Sequence, residues 1–221
     1  MLTVHHLNNS RSQRVLWLLE ELEVQYEIVR YQRLPSMQAP PELLKIHPLG
    51  KSPVITDNGN TIAESGAIIT YILDTYGNGR LVPSANTPER LRYNYWLHYA
   101  EGSAMPLLVN KLIFTEAPKR APFLMRPLVK AIFDRLLKTL VDPQLKRHMA
   151  FWENELSKSE CFAGDAFTAA DIQMSFPLEA ASARAGLGQN YPKALAWLER
   201  IHARPAYNRA LEKGGPYQLG H

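Results

Sequence analysis

The chain has 221 residues, of which 46% are hydrophobic and 21% charged, enough for one large domain or two ordinary ones and inconsistent with a disordered chain. The formal net charge of +4 is mildly basic, but Lys and Arg are interleaved with acids, so we expect no nucleic-acid partner. The single cysteine, Cys161, excludes an internal disulfide and fits a reducing compartment.

The chain also lacks the usual signals for export, membrane insertion and metal binding. No apolar run approaches the roughly 18 residues that a membrane span needs, and the first residues do not resemble a signal peptide. We therefore expect a cytoplasmic protein without a membrane partner. The seven histidines show no metal-ligand spacing, so we predict no metal.

The first part of the chain predicts a β-α-β unit. Alternating apolar residues indicate strands at 2–7 and 24–30. Between them, apolar positions three or four residues apart predict a helix at 11–22. Residues 42–46 favour at most a short helix, because Pro48 follows at once.

A hairpin is predicted next. The turn signal Asp57-Asn58-Gly59-Asn60 separates two short strands at 54–56 and 61–63. A β-α-β unit, a hairpin and a closing helix together are typical of a small mixed sheet of the thioredoxin type.

The closing helix begins with a distinctive pair of side chains. The stretch 64–73 opens with Glu64 and Ser65 and continues with apolar residues at helical spacing. Ser65 stands where an N-cap belongs, and helix N-terminal N–H groups attract carboxylates. An acid beside that cap could hold an ammonium group, so the pair is a plausible clamp for an α-amino acid. Alternatively both residues merely begin a helix, which is more common for so short a motif.

Ser52-Pro53 precedes the hairpin, at a place where proline is tolerated as the first residue of a strand. The bond between them is a candidate for the cis isomer, although trans is far more frequent. A cis peptide would turn the backbone groups of Ser52 outward, where an extended peptide could pair with them.

The second half predicts an all-helical domain. Residues 74–86 contain Gly and Pro and indicate a linker between domains at 1–80 and 87–221. Pro106 is expected to kink or end the first long helix. Other helices are predicted at 128–156, with an interruption near Asp142-Pro143, from Thr168 with a capping box to Asp171, at 194–201 and at 206–211.

Three segments occur in one order and at compatible spacing: Leu7 to Val15, His47 to Ile55 and Glu64 to Ile68. Together they resemble the glutathione-binding domain of the cytosolic glutathione S-transferases, bacterial type, and the helical second half extends the resemblance over the whole chain. The resemblance implies an α+β thioredoxin-like N-terminal domain, an all-α C-terminal domain, a cis bond at Pro53 and a homodimer. Glutathione would be the co-substrate.

The resemblance also implies roles for individual residues. Glu64 and Ser65 would bind the amino and carboxylate groups of the γ-glutamyl part. Ser52, beside Pro53, would offer its backbone to the cysteinyl part. Lys51 would approach the glycyl carboxylate as a point charge, although a solvated loop lysine is an equal alternative.

Thiol activation falls to the loop between the first strand and the first helix. The usual serine position of several classes falls on Asn9, and Ser10 is the next residue. One donor to the thiolate would lower the thiol pKa by roughly one to two units. We predict Ser10 as this donor with Asn9 as the alternative, while a helix-capping role for Ser10 is as frequent as catalysis.

The electrophile would bind in an apolar pocket between the domains. Tyr99, Ser103, Met105 and Phe114 could line it, although aromatic side chains are more often part of a core. The leading function is conjugation of the glutathione thiolate to small hydrophobic electrophiles, as in detoxification. The alternatives are glutathione-dependent peroxide or disulfide reduction, and a non-catalytic binding or regulatory protein on the same fold.

Overall fold

A computed structural model describes residues 1–36 and 38–219. Within these residues four strands form one sheet in the order β2-β1-β3-β4. The central strand β1 is parallel to β2 and antiparallel to β3, and β3 is antiparallel to β4. The strands are β1 (Thr3–Leu7), β2 (Glu27–Tyr31), β3 (Val54–Asp57) and β4 (Asn60–Ala63).

The predicted thioredoxin-like order is confirmed, with some shifted boundaries. Helix α1 (Ser12–Glu21) connects β1 to β2, and a 3-10 turn (Pro41–Lys45) replaces the short helix. β2 begins later than expected because the amide of Val24 bonds the carbonyl of Leu19 and still belongs to the end of α1.

The hairpin has the two-residue turn that its sequence indicates. Asp57 pairs with Asn60, and Asn58 and Gly59 both have positive φ, 49° and 78°. A tight hairpin turn of this kind needs left-handed backbone at both central positions, which Asn and Gly tolerate well. Helix α2 (Ser65–Tyr76) then closes the domain and buries Ile68, Ile69, Ile72 and Leu73.

The second half is helical throughout, as predicted. Its helices are α3 (Pro88–Tyr99), α4 (Met105–Glu116), α5 (Arg126–Leu136), α6 (Asp142–Leu156), α7 (Ala169–Arg184), α8 (Pro192–His202) and α9 (Pro205–Gly214). The capping box at the start of α7 is present between Thr168 and Asp171. No helix within the described residues is long and apolar enough to cross a bilayer.

The expected break at Pro106 is instead a π-helical turn. The turn at Ala100–Ala104 joins α3 to α4, and Pro106 is the second residue of α4. A second π-helical turn, Leu137–Val141, joins α5 to α6 ahead of Pro143. Proline lacks the N–H for an intrahelical bond, and a widened turn before it lets the chain stay helical.

Helix α1 lies between the sheet and the helical domain, with nine of its ten residues buried. The Trp17 ring contacts Phe167 at 5.5 Å and Tyr207 at 5.1 Å between centroids, so one α1 side chain packs on two parts of the helical domain. Residues of α1 and of the loop before it are therefore positioned by both halves of the chain.

Candidate functional site

The predicted acid and hydroxyl lie at the first turn of α2, but the capping prediction is wrong by one residue. Glu64, with φ at 71°, is the N-cap and makes no side-chain capping bond, while Ser65 is the first helical residue. The Glu64 side chain is exposed and Ser65 is only 4% exposed. A carboxylate facing solvent therefore stands beside a hydroxyl turned toward the protein.

Arg14 of α1 explains the position of the Ser65 hydroxyl. The guanidinium donates to Ser65 Oγ at 3.2 Å, to the Gln173 carbonyl at 2.6 Å and to Glu101 Oε1 at 2.5 Å. Ser65 Oγ accepts in this contact, so its own proton is free to be donated to a ligand carboxylate. The serine is thereby oriented as a donor.

Glu101 completes this group from the π-helical turn. It also accepts from Arg11 Nε at 2.9 Å. Burial opposes ionisation of Glu101, but the charges of Arg14 and Arg11 outweigh it and lower the pKa of the carboxyl. Burial also lowers the pKa of Arg14, and Glu101 opposes that shift. The ion pair therefore links the two domains directly beneath Ser65.

The second predicted segment brings Ser52 to the loop after β1. The Ser52–Pro53 peptide bond is cis, as the family resemblance implied. Ser52 Oγ donates to the His5 carbonyl at 3.2 Å and lies 3.5 Å from Ser10 Oγ. Ser52 and Ser10 thus meet at one end of the candidate site, whereas Lys51 is exposed on the adjoining loop.

Ser10 is 4% exposed and belongs to a buried chain of hydrogen bonds. Its Oγ accepts from the Ser12 amide at 3.2 Å and lies 2.8 Å from Ser12 Oγ. Ser12 Oγ in turn lies 2.9 Å from His6 Nδ1 and 3.2 Å from the Leu7 carbonyl. The chain therefore runs from the loop into the interior, toward His6.

The His6 ring determines the direction of the protons. Burial and the charge of Arg30 lower the pKa of His6 to about 4. A hydrogen bond to the Gly214 backbone raises the pKa but does not outweigh them, so the ring is neutral. The Gly214 carbonyl can only accept, which leaves Nδ1 as an acceptor for Ser12. With Nδ1 as the acceptor, the Ser12 proton is directed to Nδ1 or to the Leu7 carbonyl, and in this arrangement Ser10 donates to Ser12 across the 2.8 Å contact. The Ser10 proton points inward.

Asn9 differs from Ser10 in the group that it can offer to a ligand. It has left-handed backbone, with φ at 49°, and its side-chain oxygen accepts from the amide of Gln218 at 2.8 Å. With the oxygen occupied, the side-chain NH2 is the group that can donate to a ligand. Asn9 is half-buried, unlike Ser10.

Arginines surround the same loop. Arg33 donates to the Asn8 carbonyl at 3.2 Å and to the Asn9 carbonyl at 3.3 Å. Burial lowers the pKa of Arg33, and the positive charges of Arg11 and Arg184 lower it further. Arg33 therefore brings positive charge to the backbone of Asn8 and Asn9, which favours an anion there.

The four residues predicted for the electrophile pocket differ in how deeply they are buried. Tyr99 is buried, accepts from Trp152 Nε1 at 3.1 Å and contacts His148 Nδ1. Met105 is also buried. Ser103 is exposed, and Phe114 is half-buried with its ring 5.4 Å from Phe133. Tyr99 therefore packs within the helical domain, as aromatic residues commonly do.

A cleft lies beside the clamp and not at the Ser10 end. It encloses about 840 Å³ between α2 and the junction of α3 with α4, and its lining includes Glu64, Ala67, Tyr71, His98 and Glu101. Ser10, Asn9 and Ser52 are outside its lining. The exposed carboxylate of Glu64 faces this space.

Comparisons with known proteins identify the family and the fold. Residues 1–74 match the family model described as glutathione S-transferase, N-terminal domain, and residues 117–205 match the C-terminal domain. Glutathione S-transferase 3 of Schizosaccharomyces pombe is 36% identical, with 96% of this chain and 88% of the relative covered. The chain belongs to the glutathione S-transferase family.

Further family members support the assignment. Glutathione S-transferase 1 of Saccharomyces cerevisiae is 35% identical over 96% of this chain and 95% of its own. A solved glutathione S-transferase of Actinobacillus pleuropneumoniae is 30% identical, with a TM-score of 0.78 over 99% of this chain and 94% of that one. The disulfide-bond oxidoreductase YfcG of Escherichia coli is 28% identical over 100% and 97% of the two chains. The enzyme is therefore a transferase of known fold.

Sequence reasoning missed several residues of the site. Arg14 and Ser12 were available in the sequence only as helix positions, and Glu101 only as one acid among many. His6 stands in β1 between His5 and Leu7 and carried no signal of its own. Gln218 lies more than 200 positions from Asn9, and no local pattern could connect them.

Proposed function

We propose that this transferase conjugates the thiolate of bound glutathione to small apolar electrophiles. The observation that carries the proposal is the pair at the start of α2, an exposed Glu64 carboxylate beside a Ser65 hydroxyl held as a donor by Arg14. A carboxylate and a hydroxyl donor at a helix N-terminus complement the ammonium and carboxylate of a γ-glutamyl group. Ser52 would pair with the cysteinyl part and Lys51 with the glycyl carboxylate.

For thiol activation, the hydrogen-bond pattern favours Asn9 over our first choice from sequence, Ser10. The Ser10 proton is used by Ser12, whereas the Asn9 amide has its oxygen occupied and its NH2 available. A donor to the sulfur favours the thiolate, and the surrounding arginines and the start of α1 act in the same direction. Asn9 would therefore lower the thiol pKa of bound glutathione.

A second activity, glutathione-dependent reduction of disulfides or peroxides, is favoured by the similarity to YfcG. It would proceed through the glutathione thiolate itself, because Cys161 is unsuited to thiol chemistry. Burial, and then the charge of Asp171, raise the pKa of Cys161 to about 12. Assays with an aryl halide, an organic hydroperoxide and a low-molecular-weight disulfide separate the two activities.

The clamp is tested with Glu64→Ala, using Glu199→Ala on the exposed face of α8 as the control. A hydrogen bond between charged groups contributes about 1.5–3 kcal/mol, so we expect glutathione affinity to fall by roughly ten-fold to a hundred-fold or more in Glu64→Ala alone. Isothermal titration calorimetry measures it. Unchanged affinity in Glu64→Ala would show that the acid does not bind the tripeptide and would favour the regulatory alternative.

We further propose that the protein forms a two-fold homodimer through the face that carries the large cleft. Helix α3, which lines the cleft with Leu97 and His98, also exposes Leu91 and Tyr95, at 74% and 48%, apolar area that association would remove from water. Light scattering on the purified protein tests this assignment. A Leu91→Asp variant should shift the mass toward the monomer.

A further inference from the structure

The chain after α9 returns to the candidate site. We call residues 215–219 the C-terminal tail. It starts at Gly215, which has a positive φ of 90°, and it ends in the buried side chain of Leu219. Between these points the tail contacts the loop after β1 and the helix α7.

The contact with the loop falls on Asn9. The backbone N–H of Gln218 donates to Asn9 Oδ1 at 2.8 Å. A backbone amide can only donate here, so the atom of Asn9 that faces it must be the oxygen. The tail therefore fixes the orientation of the carboxamide and directs its NH2 away from Gln218.

The contact with α7 anchors the tail one residue earlier. Tyr217 Oη donates to Glu179 Oε2 at 2.5 Å. The same carboxylate, which is 8% exposed, accepts from Tyr207 Oη at 3.1 Å and lies 3.0 Å from His202 Nε2. The guanidinium groups of Arg184 and Arg14 also interact electrostatically with the Tyr217 phenol. The anchor is thus a largely buried carboxylate with several donors.

The end of α9 holds the neighbouring part of the loop. The Gly214 backbone bonds the His6 ring, and a Cβ at Gly214 would lie 2.6 Å from Gln13 Oε1 and 2.9 Å from Leu16 Cδ1. Such close packing leaves little room for movement of α9 relative to α1. Gly214 and Gln218 therefore hold two successive points of the β1–α1 region.

We propose that the C-terminal tail is a positioning element of the active site, in which the Gln218 backbone N–H orients the Asn9 amide toward the glutathione sulfur and Tyr217 anchors the tail on Glu179. This rests on the proposed role of Asn9 as donor to the sulfur. Gln218 does not contact the sulfur in this scheme. It acts by restricting the rotation of the Asn9 carboxamide, which is the group that contacts the sulfur.

The direct test removes one backbone N–H. Gln218→Pro deletes the donor, and Gln218→Ala, which keeps it, is the matched control. The readout is the pH titration of the thiolate absorbance of bound glutathione. We expect Gln218→Ala to match wild type and Gln218→Pro to raise the thiol pKa by about one unit, the rise that we also expect for Asn9→Ala. The double variant Asn9→Ala/Gln218→Pro should show no further rise in the thiol pKa. Gln218 acts only through the Asn9 amide, which Asn9→Ala has already removed.

Two further variants keep the test independent of proline geometry. Deletion of residues 216–221 should give the same rise in thiol pKa as Gln218→Pro. Tyr217→Phe should give part of that rise, while Tyr207→Phe, which removes another phenol from Glu179, should give none.

The outcomes separate the two proposals. A rise in Asn9→Ala with wild-type pKa values in Gln218→Pro and in the deletion overturns the role of the tail and leaves the role of Asn9 intact. Additive rises in the double variant also overturn it. If Asn9→Ala itself leaves the thiol pKa unchanged, the donor assignment fails and the role of the tail fails with it.

Discussion

The two ends of the candidate site are built in different ways. The clamp end consists of adjacent residues at one helix start, Glu64 and Ser65, and one distant arginine, Arg14, supports it. The thiol end draws on the loop after β1, on Ser52, on His6 and on the C-terminal tail. Residues that are neighbours in sequence can be recognised as a motif. A group of residues from four separate segments can be recognised only in the folded structure.

The ends also differ in electrostatics. Beneath the clamp the buried Arg14 pairs with the half-buried Glu101, and this ion pair links the two domains. Beneath the thiol end the buried groups are neutral: two serines and a histidine whose pKa is lowered to about 4 by burial and by Arg30. The clamp end is therefore expected to respond to the loss of charge, and the thiol end to pH.

The largest effect is expected from Arg14→Leu. Removing one partner of a buried ion pair costs about 3–5 kcal/mol, because the other charge loses its compensation. We expect the lower end of that range, since Glu101 keeps Arg11 and is 29% exposed. Urea unfolding measures the loss, and Ser65 should lose its orientation with it.

Arg11→Leu is the matched control for this change. Arg11 bonds the same carboxylate but is 30% exposed, so its loss should cost about 1 kcal/mol or less. Equal losses in the two variants would contradict the view that burial of Arg14 makes it the supporting residue of the clamp.

The next effect is the pH dependence of stability, for which His6→Gln is the probe. The folded pKa of His6, about 4, lies below its ordinary value of 6.5, so between these values the unfolded chain binds more protons than the folded one. Stability should therefore fall as pH decreases from about 6.5 to about 4, by roughly 3 kcal/mol for this group.

His6→Gln removes this titration and keeps a side chain that can bond Ser12. Its free energy of unfolding should depend less on pH than that of wild type over the same range, as measured by urea unfolding at successive pH values. Parallel curves for the two proteins would mean that His6 is not the neutral end of the hydrogen-bond chain.

The smallest effect should come from Ser10→Ala. Because the Ser10 proton points to Ser12, we expect the thiol pKa of bound glutathione to change by no more than a few tenths of a unit. Stability should fall by about 1 kcal/mol through the lost hydrogen bonds. Thiolate absorbance and urea unfolding provide the two values, with Asn9→Ala measured beside it. A rise in Ser10→Ala as large as in Asn9→Ala would restore Ser10 as the donor.

Much of the architecture followed from local patterns. The period of the apolar residues located the strands and most helices, and Asn58-Gly59 fixed the hairpin because that turn needs positive φ at both positions. Pro106 was misread because the sequence shows a missing N–H but not the π-helical turn that accommodates it. The bounds of β2 shifted because a bond from Val24 to Leu19 prolongs the end of α1.

The sequence by itself determined the order of the elements, the two-domain plan and the place of the Glu64–Ser65 pair at a helix start, because helical and strand periods and short motifs depend on neighbours within a few residues. Only the tertiary structure decided that Arg14 orients Ser65, that Ser10 and Ser12 join a hydrogen-bond chain to His6, and that Gln218 bonds Asn9. No periodic pattern along the chain links the residues of these contacts. Packing in three dimensions brings them together.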